Sequence, residues 1–198
     1  GKKLLVLGGG PGGYTAAFLA ADRGMEVTLI DSGIKLGGVC LHRGCIPSKT
    51  LLHIAHLINE TREAKHWGVD FGNPKLDLDG IRNWKNQIIN KMALGLTQLC
   101  KQRNVQFVSG KGIFKNSNTI EVGGVSYTFD HCILATGSRP AQIFKDDFRT
   151  IDSTKALEIK KIPNRLLVIG GGYIGLEMGS VYAALGSQVT IIEINDDI

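Results

Sequence analysis

The 198-residue sequence predicts an α/β fold in which two βαβ units flank a small antiparallel β-meander. Three observations predict it. The stretch KKLLVLGGGPGGYTAAFLAADRGMEVTLIDSG runs through an apolar strand, a glycine-rich turn, an alanine-rich helix, a glycine stop and a second strand ending in an acid. The stretch NRLLVIGGGYIGLEMGSVYAALGSQVTIIEIN repeats that grammar. The spacing of about 160 residues exceeds any solenoid period, so this is a duplicated supersecondary unit. Between the copies, short β-like runs separated by Gly and Asn replace helical spacing from Val105 onward.

The elements follow in order. Lys2 to Leu7 reads as a buried strand, followed by a helix to about Arg23, a stop at Gly24 and a strand from Glu26 to Ile30 that ends in Asp31. Ile46 to Asn59 reads as a helix with Ile46, Leu51, Leu52, Ala55 and Ile58 on its apolar positions and Pro47 tolerated in the first turn. In LDLDGIRNWKNQIINKMALGLTQLCKQRN, Ile81, Trp84, Ile88, Met92, Leu96 and Leu99 recur at helical spacing and predict a stripe facing a core. VQFV, KGIF, NTIEV and VSYTF predict the meander, which feeds one more buried strand, HCILAT; GSRPAQ then opens a linker. The second copy begins at Asn164, with a helix to about Leu185, a stop at Gly186 and a strand ending in Glu193.

Composition bounds the function classes. With 43% hydrophobic and 21% charged residues the chain can bury a sizeable core. Its net charge of +5 is scattered rather than blocked, which argues against a nucleic-acid footprint. The most apolar runs, Leu4 to Leu7 and Leu166 to Ile169, are far shorter than the roughly 20 residues of a membrane span. The chain starts at Gly1 with neither a charged-then-apolar leader nor an arginine-rich presequence, so the expectation is that a targeting segment was removed or never existed. Cys40, Cys45, Cys100 and Cys132 are too few for a disulfide-built secreted scaffold; the expected setting is reducing, the cytoplasm or, in a eukaryote, the mitochondrial matrix.

The glycine clusters carry chemistry. Gly8, Gly10 and Gly13 serve in turn a tight turn, close backbone approach to a pyrophosphate, and close helix–strand packing, and Asp31 stands where an acid binds ribose hydroxyls. The alternative is a strand-to-helix turn without a ligand. Gly170, Gly172 and Gly175 with Glu193 meet the same tests, so both units read as Rossmann-like and two nucleotide sites imply two cofactors. Glu193 would repel a 2′-phosphate and Ile194 to Asp197 add no arginine, which favours NAD over NADP.

The cysteines in GGVCLHRGCIPSK admit three readings. Zinc lacks a second ligand pair, and Cys40, His42 and Cys45 on so short a loop would strain a tetrahedral site, so no metal is expected. A static staple over so short a loop would stabilise little. Redox work fits better: a Cys45 thiolate at the N-terminus of the following helix gains dipole and amide stabilisation. Cys100 and Cys132 read as small buried hydrophobes, and His53 and His56 as solvent-facing or core-satisfied.

GGVCLHRGCIPSK, with GGGPGGY before it and LATGSRP and VIGGGYIGLEMG after it, resembles the flavin-dependent disulfide oxidoreductases over nearly the whole chain. It is closer to their lipoamide branch than to the NADPH-using ones. The resemblance implies FAD on residues 1–140, with its return segment absent. Gly8, Gly10, Gly12 and Gly13 would hold the pyrophosphate and Asp31 the ribose. Lys35, Gly37 and Gly38 would line the adenosine and ribityl side, and Gly112, Thr136, Gly137 and Ser138 would close over the flavin nucleotide, although Gly112 reads equally well as a turn glycine. It implies NAD on a truncated unit, 141–198, at Gly170, Gly172, Tyr173, Ile174, Gly175 and Glu193. Cys45 would face the flavin and Cys40 the substrate. Lys49 would stand beside the flavin's reactive nitrogen, paired with Glu177 at the nicotinamide side as a buried ion pair.

Electrons would pass from dihydrolipoamide through a Cys40–Cys45 disulfide and FAD to NAD+. The implied partners are the lipoyl group on the acyltransferase component of a 2-oxoacid dehydrogenase complex and, for the full-length parent, a second copy in a homodimer. The alternatives are another flavin disulfide or mercuric reductase, or a non-catalytic cofactor-binding fragment. The family's acid–base histidine falls in a later region, so the sequence reads as an amino-terminal portion.

Overall fold

The structure, a computed structural model, describes residues 1–144 and 147–196. The chain packs as two units, Gly1–His42 with Ile88–Arg139, and Arg43–Gln87 with Pro140–Ile198.

The first unit is built on a parallel sheet. Strands β1 (Lys3–Leu7), β2 (Glu26–Asp31), β3 (Gln106–Ser109) and β7 (His131–Leu134) lie in the order β3-β2-β1-β7, with helix α1 (Pro11–Asp22) crossing from β1 to β2. Both faces of the sheet are covered, as parallel sheets require. Leu4, Val6, Val27 and Leu29 point to Ala17 of α1 and to Leu36, Cys100 and Val105. Leu5 and Ile30 point the other way, to Ile120, Val122 and Phe129. Ile120 and Val122 come from the meander and Phe129 from just beside it; the meander is an antiparallel sheet of β4 (Ile113–Asn116), β5 (Thr119–Val122) and β6 (Val125–Thr128). Short helix α2 (Gly38–Arg43) follows β2.

In the second unit, β8 (Arg165–Ile169) and β9 (Gln188–Ile192) form a parallel pair joined by helix α6 (Tyr173–Leu185). Its core sets Leu51, Ala55 and Ile58 of α3 (Cys45–Glu63) against Met178, Val181, Tyr182 and Leu185 of α6, with Ala156, Leu157 and Ile159 in and after α5 (Ser153–Ala156). The opposite face of the strand pair stays open: Leu167, Ile169 and Ile192 are each about half exposed. Helix α4 (Leu78–Gln102) starts in this unit and ends in the first.

The duplicated βαβ grammar and the inserted antiparallel sheet are observed as expected. Three local expectations are corrected. VQFV does not join the meander; as β3 it pairs in parallel with β2, because a four-residue apolar run carries no information about its partner. HCILAT is not a buried strand: β7 lies at the sheet edge, with Leu134 65% exposed. The buried line of α4 is Lys85, Ile89, Ala93 and Cys100, offset from the expected stripe, so Trp84 and Met92 face outward. Lys85 is buried because its Nζ donates to the Leu157 carbonyl at 2.7 Å. Burial lowers its pKa, an effect that nearby Glu158 opposes.

Candidate functional site

The first glycine turn is fixed by backbone collisions that a side chain would produce. Gly8 stands at φ +114°, its N–H donates to the Ile30 carbonyl at 2.7 Å, and a Cβ there would lie 1.9 Å from the Ala135 carbonyl oxygen. A Cβ on Gly13 would lie 1.7 Å from the Gly8 oxygen. Gly10 is different: the nearest atom to its hypothetical Cβ is the Gly38 Cα at 3.8 Å, so that side of the turn remains open to a ligand. Helix α1 begins with Pro11, and Tyr14 is the first residue to bond back, to the Gly10 carbonyl at 2.9 Å. The amides of Gly12 and Gly13 therefore have no partner inside the helix, which makes them donors for a phosphate.

Asp31 anchors this turn from the end of β2. Its two oxygens accept the Gly9 N–H at 2.6 Å and the Gly33 N–H at 2.7 Å. Each oxygen retains a second lone pair for a ribose hydroxyl. Thr136, Gly137 and Ser138 follow the C-terminal end of β7, next to Gly8. The sheet order places them where the chain has turned away from β1 in opposite directions, the position at which open α/β sheets take ligands. An open glycine, orphaned amides and an acid at the neighbouring strand end fit a dinucleotide.

The second turn reproduces the first. Gly170 stands at φ +108°, a Cβ on Gly175 would lie 2.0 Å from the Gly170 oxygen, and a Cβ on Gly172 would meet nothing within 4 Å. Leu176 bonds back to the Gly172 carbonyl at 3.0 Å, leaving the amides of Tyr173, Ile174 and Gly175 as donors. Glu193 Oε2 accepts the Gly171 N–H at 2.6 Å, and Oε1 accepts those of Ile194 and Asn195 at 2.8 and 3.0 Å. These amides, Asn195 first and then Gly171, hold its carboxyl below the usual glutamate range. It is therefore an anion at neutral pH and would repel a 2′-phosphate.

The cysteines sit on consecutive helices. Cys40 is half-buried on α2, and Cys45 is exposed as the first residue of α3, one position earlier than the sequence suggests. Gly44 caps α3 without a side-chain bond, and Ser48 is the first amide to bond back, at 3.0 Å. The amides of Cys45 and Ile46 thus remain available, while Pro47 has none to offer. The Ser48 hydroxyl donates to the Cys45 carbonyl at 3.0 Å.

On the same helix, the Lys49 ammonium donates to Glu177 Oε1 of α6. The bond to Glu177 raises the lysine pKa, against some desolvation. The expectation of a buried pair is corrected. Lys49 is 58% exposed and Glu177 22%, so solvent dilutes the attraction and the pair adds little stability.

The remaining expected residues fall as follows. Lys35 Nζ donates to Asn90 Oδ1 at 3.3 Å. Gly37 and Gly38 both have positive φ; a Cβ on Gly38 would lie 2.6 Å from the Gly10 Cα, so the segment after β2 presses on the first turn. Gly112 borders Leu7, Ile30 and Ile120, and packing accounts for a glycine there. Cys100 is buried, Cys132 half-buried, and His53 and His56 face outward. Among the described residues, no three His, Cys, Asp or Glu side chains are grouped to hold a metal ion, and no helix is long and apolar enough to cross a membrane. Sequence reasoning missed that His42 hydrogen-bonds the Leu36 carbonyl. The histidine was visible, but a main-chain partner leaves no sequence signal.

Comparison with known proteins agrees with this geometry. The family described as pyridine nucleotide-disulphide oxidoreductase matches residues 2–198. A dihydrolipoyl dehydrogenase of Vibrio cholerae is 47% identical over 99% of this chain and 43% of its own length. One from Geobacillus stearothermophilus is 43% identical over 96% of this chain and 42% of its own. Among solved structures, an HOCl-induced flavoprotein disulfide reductase of Escherichia coli superposes with a TM-score of 0.80 at 29% identity, covering 96% of this chain and 42% of that one. The chain spans less than half the length of the curated relatives it matches.

Proposed function

The chain belongs to the pyridine nucleotide-disulphide oxidoreductase family, and we propose that it carries the electron-transfer portion of an enzyme that oxidises dihydrolipoamide with NAD+ through a Cys40–Cys45 disulfide and FAD. The observation that carries this reading is the Lys49–Glu177 ion pair, which links the helix headed by Cys45 to the helix that opens the second glycine turn. A pair worth little to stability, joining the cysteine-headed helix to the helix of a candidate cofactor turn, is explained by function.

The chain's own residues divide the work. The amides of Gly12 and Gly13, with Asp31 at the ribose, bind and orient FAD; Lys35, Gly37, Gly38, Thr136, Gly137 and Ser138 complete that side. The amides of Tyr173, Ile174 and Gly175, with Glu193 at the ribose, do the same for NAD. Bound FAD supplies a two-electron carrier between thiols and nicotinamide.

In the thiol exchange, one lipoyl thiolate attacks Cys40 Sγ of the protein disulfide and releases Cys45 as thiolate, stabilised by its own and Ile46's helix-start amides. The second lipoyl thiolate then attacks the lipoyl sulfur of the mixed disulfide, closing the cyclic disulfide and releasing the Cys40 thiolate. Lys49 holds its proton and presents a positive charge beside the acceptor site, with Glu177 fixing its position. The substrate would be the lipoyl group on the acyltransferase of a 2-oxoacid dehydrogenase complex, in the cytoplasm or mitochondrial matrix, and the working form a homodimer.

The test uses the purified full-length protein. Yellow, FAD-containing protein that is bleached by NADH rather than NADPH, and that turns over dihydrolipoamide rather than glutathione, supports the reading. Lys49→Ala should slow hydride exchange at least about tenfold, as expected for loss of a charge-assisted contact. Colourless protein that takes up no FAD, or a Lys49→Ala variant with unchanged spectrum and rate, overturns it.

A further inference from the structure

We propose that His42 is a positioning residue for the redox cysteines, acting through its hydrogen bond to the Leu36 carbonyl; this rests on the disulfide reading above. The bond is 2.8 Å long and joins the imidazole Nε2 to a carbonyl oxygen. A carbonyl can only accept, so Nε2 carries the proton and His42 is the donor. The acceptor belongs to Leu36, a residue 1% exposed in the core of the first unit.

The need for such a tether follows from the element that carries Cys40. Helix α2 has six residues, fewer than the length at which a helix holds itself together in water. Its start is pinned twice. The Gly37 N–H donates to the Gly9 carbonyl at 2.9 Å, and Gly38 lies close enough to Gly10 that a Cβ would fall 2.6 Å from its Cα. Both fixings act at the first residue of α2 or just before it. Towards its end, the His42 ring reaches back across the Gly37–Gly38 turn to the residue preceding it. Leu36, Gly37, Gly9 and His42 thereby tie the cysteine-bearing helix to the glycine turn.

Cys40 lies two residues before His42, inside the segment closed by this bond. Disulfide formation needs the Cys40 Cα within about 4.4–6.8 Å of its partner's, so a helix held in place favours the bond by limiting where its sulfur can go. Without the His42 donor the helix end keeps only the buried Leu41 side chain to hold it, and the dithiol gains freedom that the disulfide does not.

The measurement is the exchange equilibrium of the full-length protein with glutathione: two protein thiols and one glutathione disulfide give one protein disulfide and two glutathione thiols. The protein species are counted by mass after alkylation. His42→Leu should shift this equilibrium about fivefold toward the dithiol, the size of one hydrogen bond, and His42→Asn, which can still donate to a carbonyl, should return to within about twofold of the parent. His42→Ala is measured alongside, so that misfolding of one variant, seen by circular dichroism, leaves the other to decide. A folded Leu or Ala variant with the parent equilibrium overturns the inference while leaving the redox pair intact, as does an Asn variant that shifts as far as the Leu variant. A parent protein forming no Cys40–Cys45 disulfide in any glutathione mixture overturns the disulfide reading itself.

Discussion

The units β1–α1–β2 and β8–α6–β9 carry nearly the same local instructions in different surroundings. In both, the third glycine of the pattern packs against the carbonyl of the first, and in both the amide of the second residue of the turn bonds to an acid 22 residues later, Gly9 to Asp31 and Gly171 to Glu193. The first stands within four strands covered on two faces; the second is a strand pair with one open face. The same turn is built in both surroundings, which makes it a local product. Burial is not: Leu5 on the meander side of β1 is 1% exposed, whereas Leu167 on the open side of β8 is 53% exposed.

The most severe way to break the parallel is at the first glycines. Gly8→Ala meets both a positive φ and the Ala135 oxygen just after neighbouring β7, whereas Gly170→Ala meets the positive φ alone. Denaturant titration should show Gly8→Ala costing about 4 kcal/mol and Gly170→Ala about 1–2 kcal/mol. Equal losses would mean that the neighbouring strand does not distinguish the turns.

A smaller effect sharpens a difference in donors. The first helix opens with Pro11, which has no N–H, where the second has Tyr173, 72% exposed. Tyr173→Pro should copy the first turn into the second. Calorimetry should then find pyridine nucleotide binding weakened about threefold, as for loss of one amide donor, with folding unaffected.

The smallest effect is one of pH. Backbone amides lower the folded-state pKa of Glu193, so its stabilising contribution is fully present above the unfolded value, about 4.3, and is lost as pH falls through the folded one. Melting curves of the parent and Glu193→Gln should differ at neutral pH and converge in acid below about pH 4. A gap that widened in acid would show that the carboxylate is not held by those amides.

The parts that could be read in the sequence were those whose causes are local. The glycine spacings, Asp31, Glu193 and the helical stretch after Cys45 all depend on residues within a few turns of one another. Lys85 and β3 could not be read this way. A lysine in the middle of a helix looks solvent-bound until the Leu157 carbonyl is brought to it, and VQFV looks like a meander strand until β2 is found beside it. The α4 stripe failed for a related reason: periodicity gives a helix an apolar side, but the buried line is chosen by what packs on it.

The sequence by itself determined the α/β class, the two glycine turns and the cysteine pair, because steric rules for glycine and the chemistry of cysteine act over short stretches of chain; Lys49 and Glu177 were named only through the family resemblance. Tertiary structure alone decided that Lys49 and Glu177 meet while the lysine stays more than half exposed, that His42 spends its proton on Leu36, and that one βαβ sheet is covered on both faces and the other on one. Those are outcomes of which distant segments arrive at the same place. Side-chain partners across such distances follow from packing, and no local pattern encodes them.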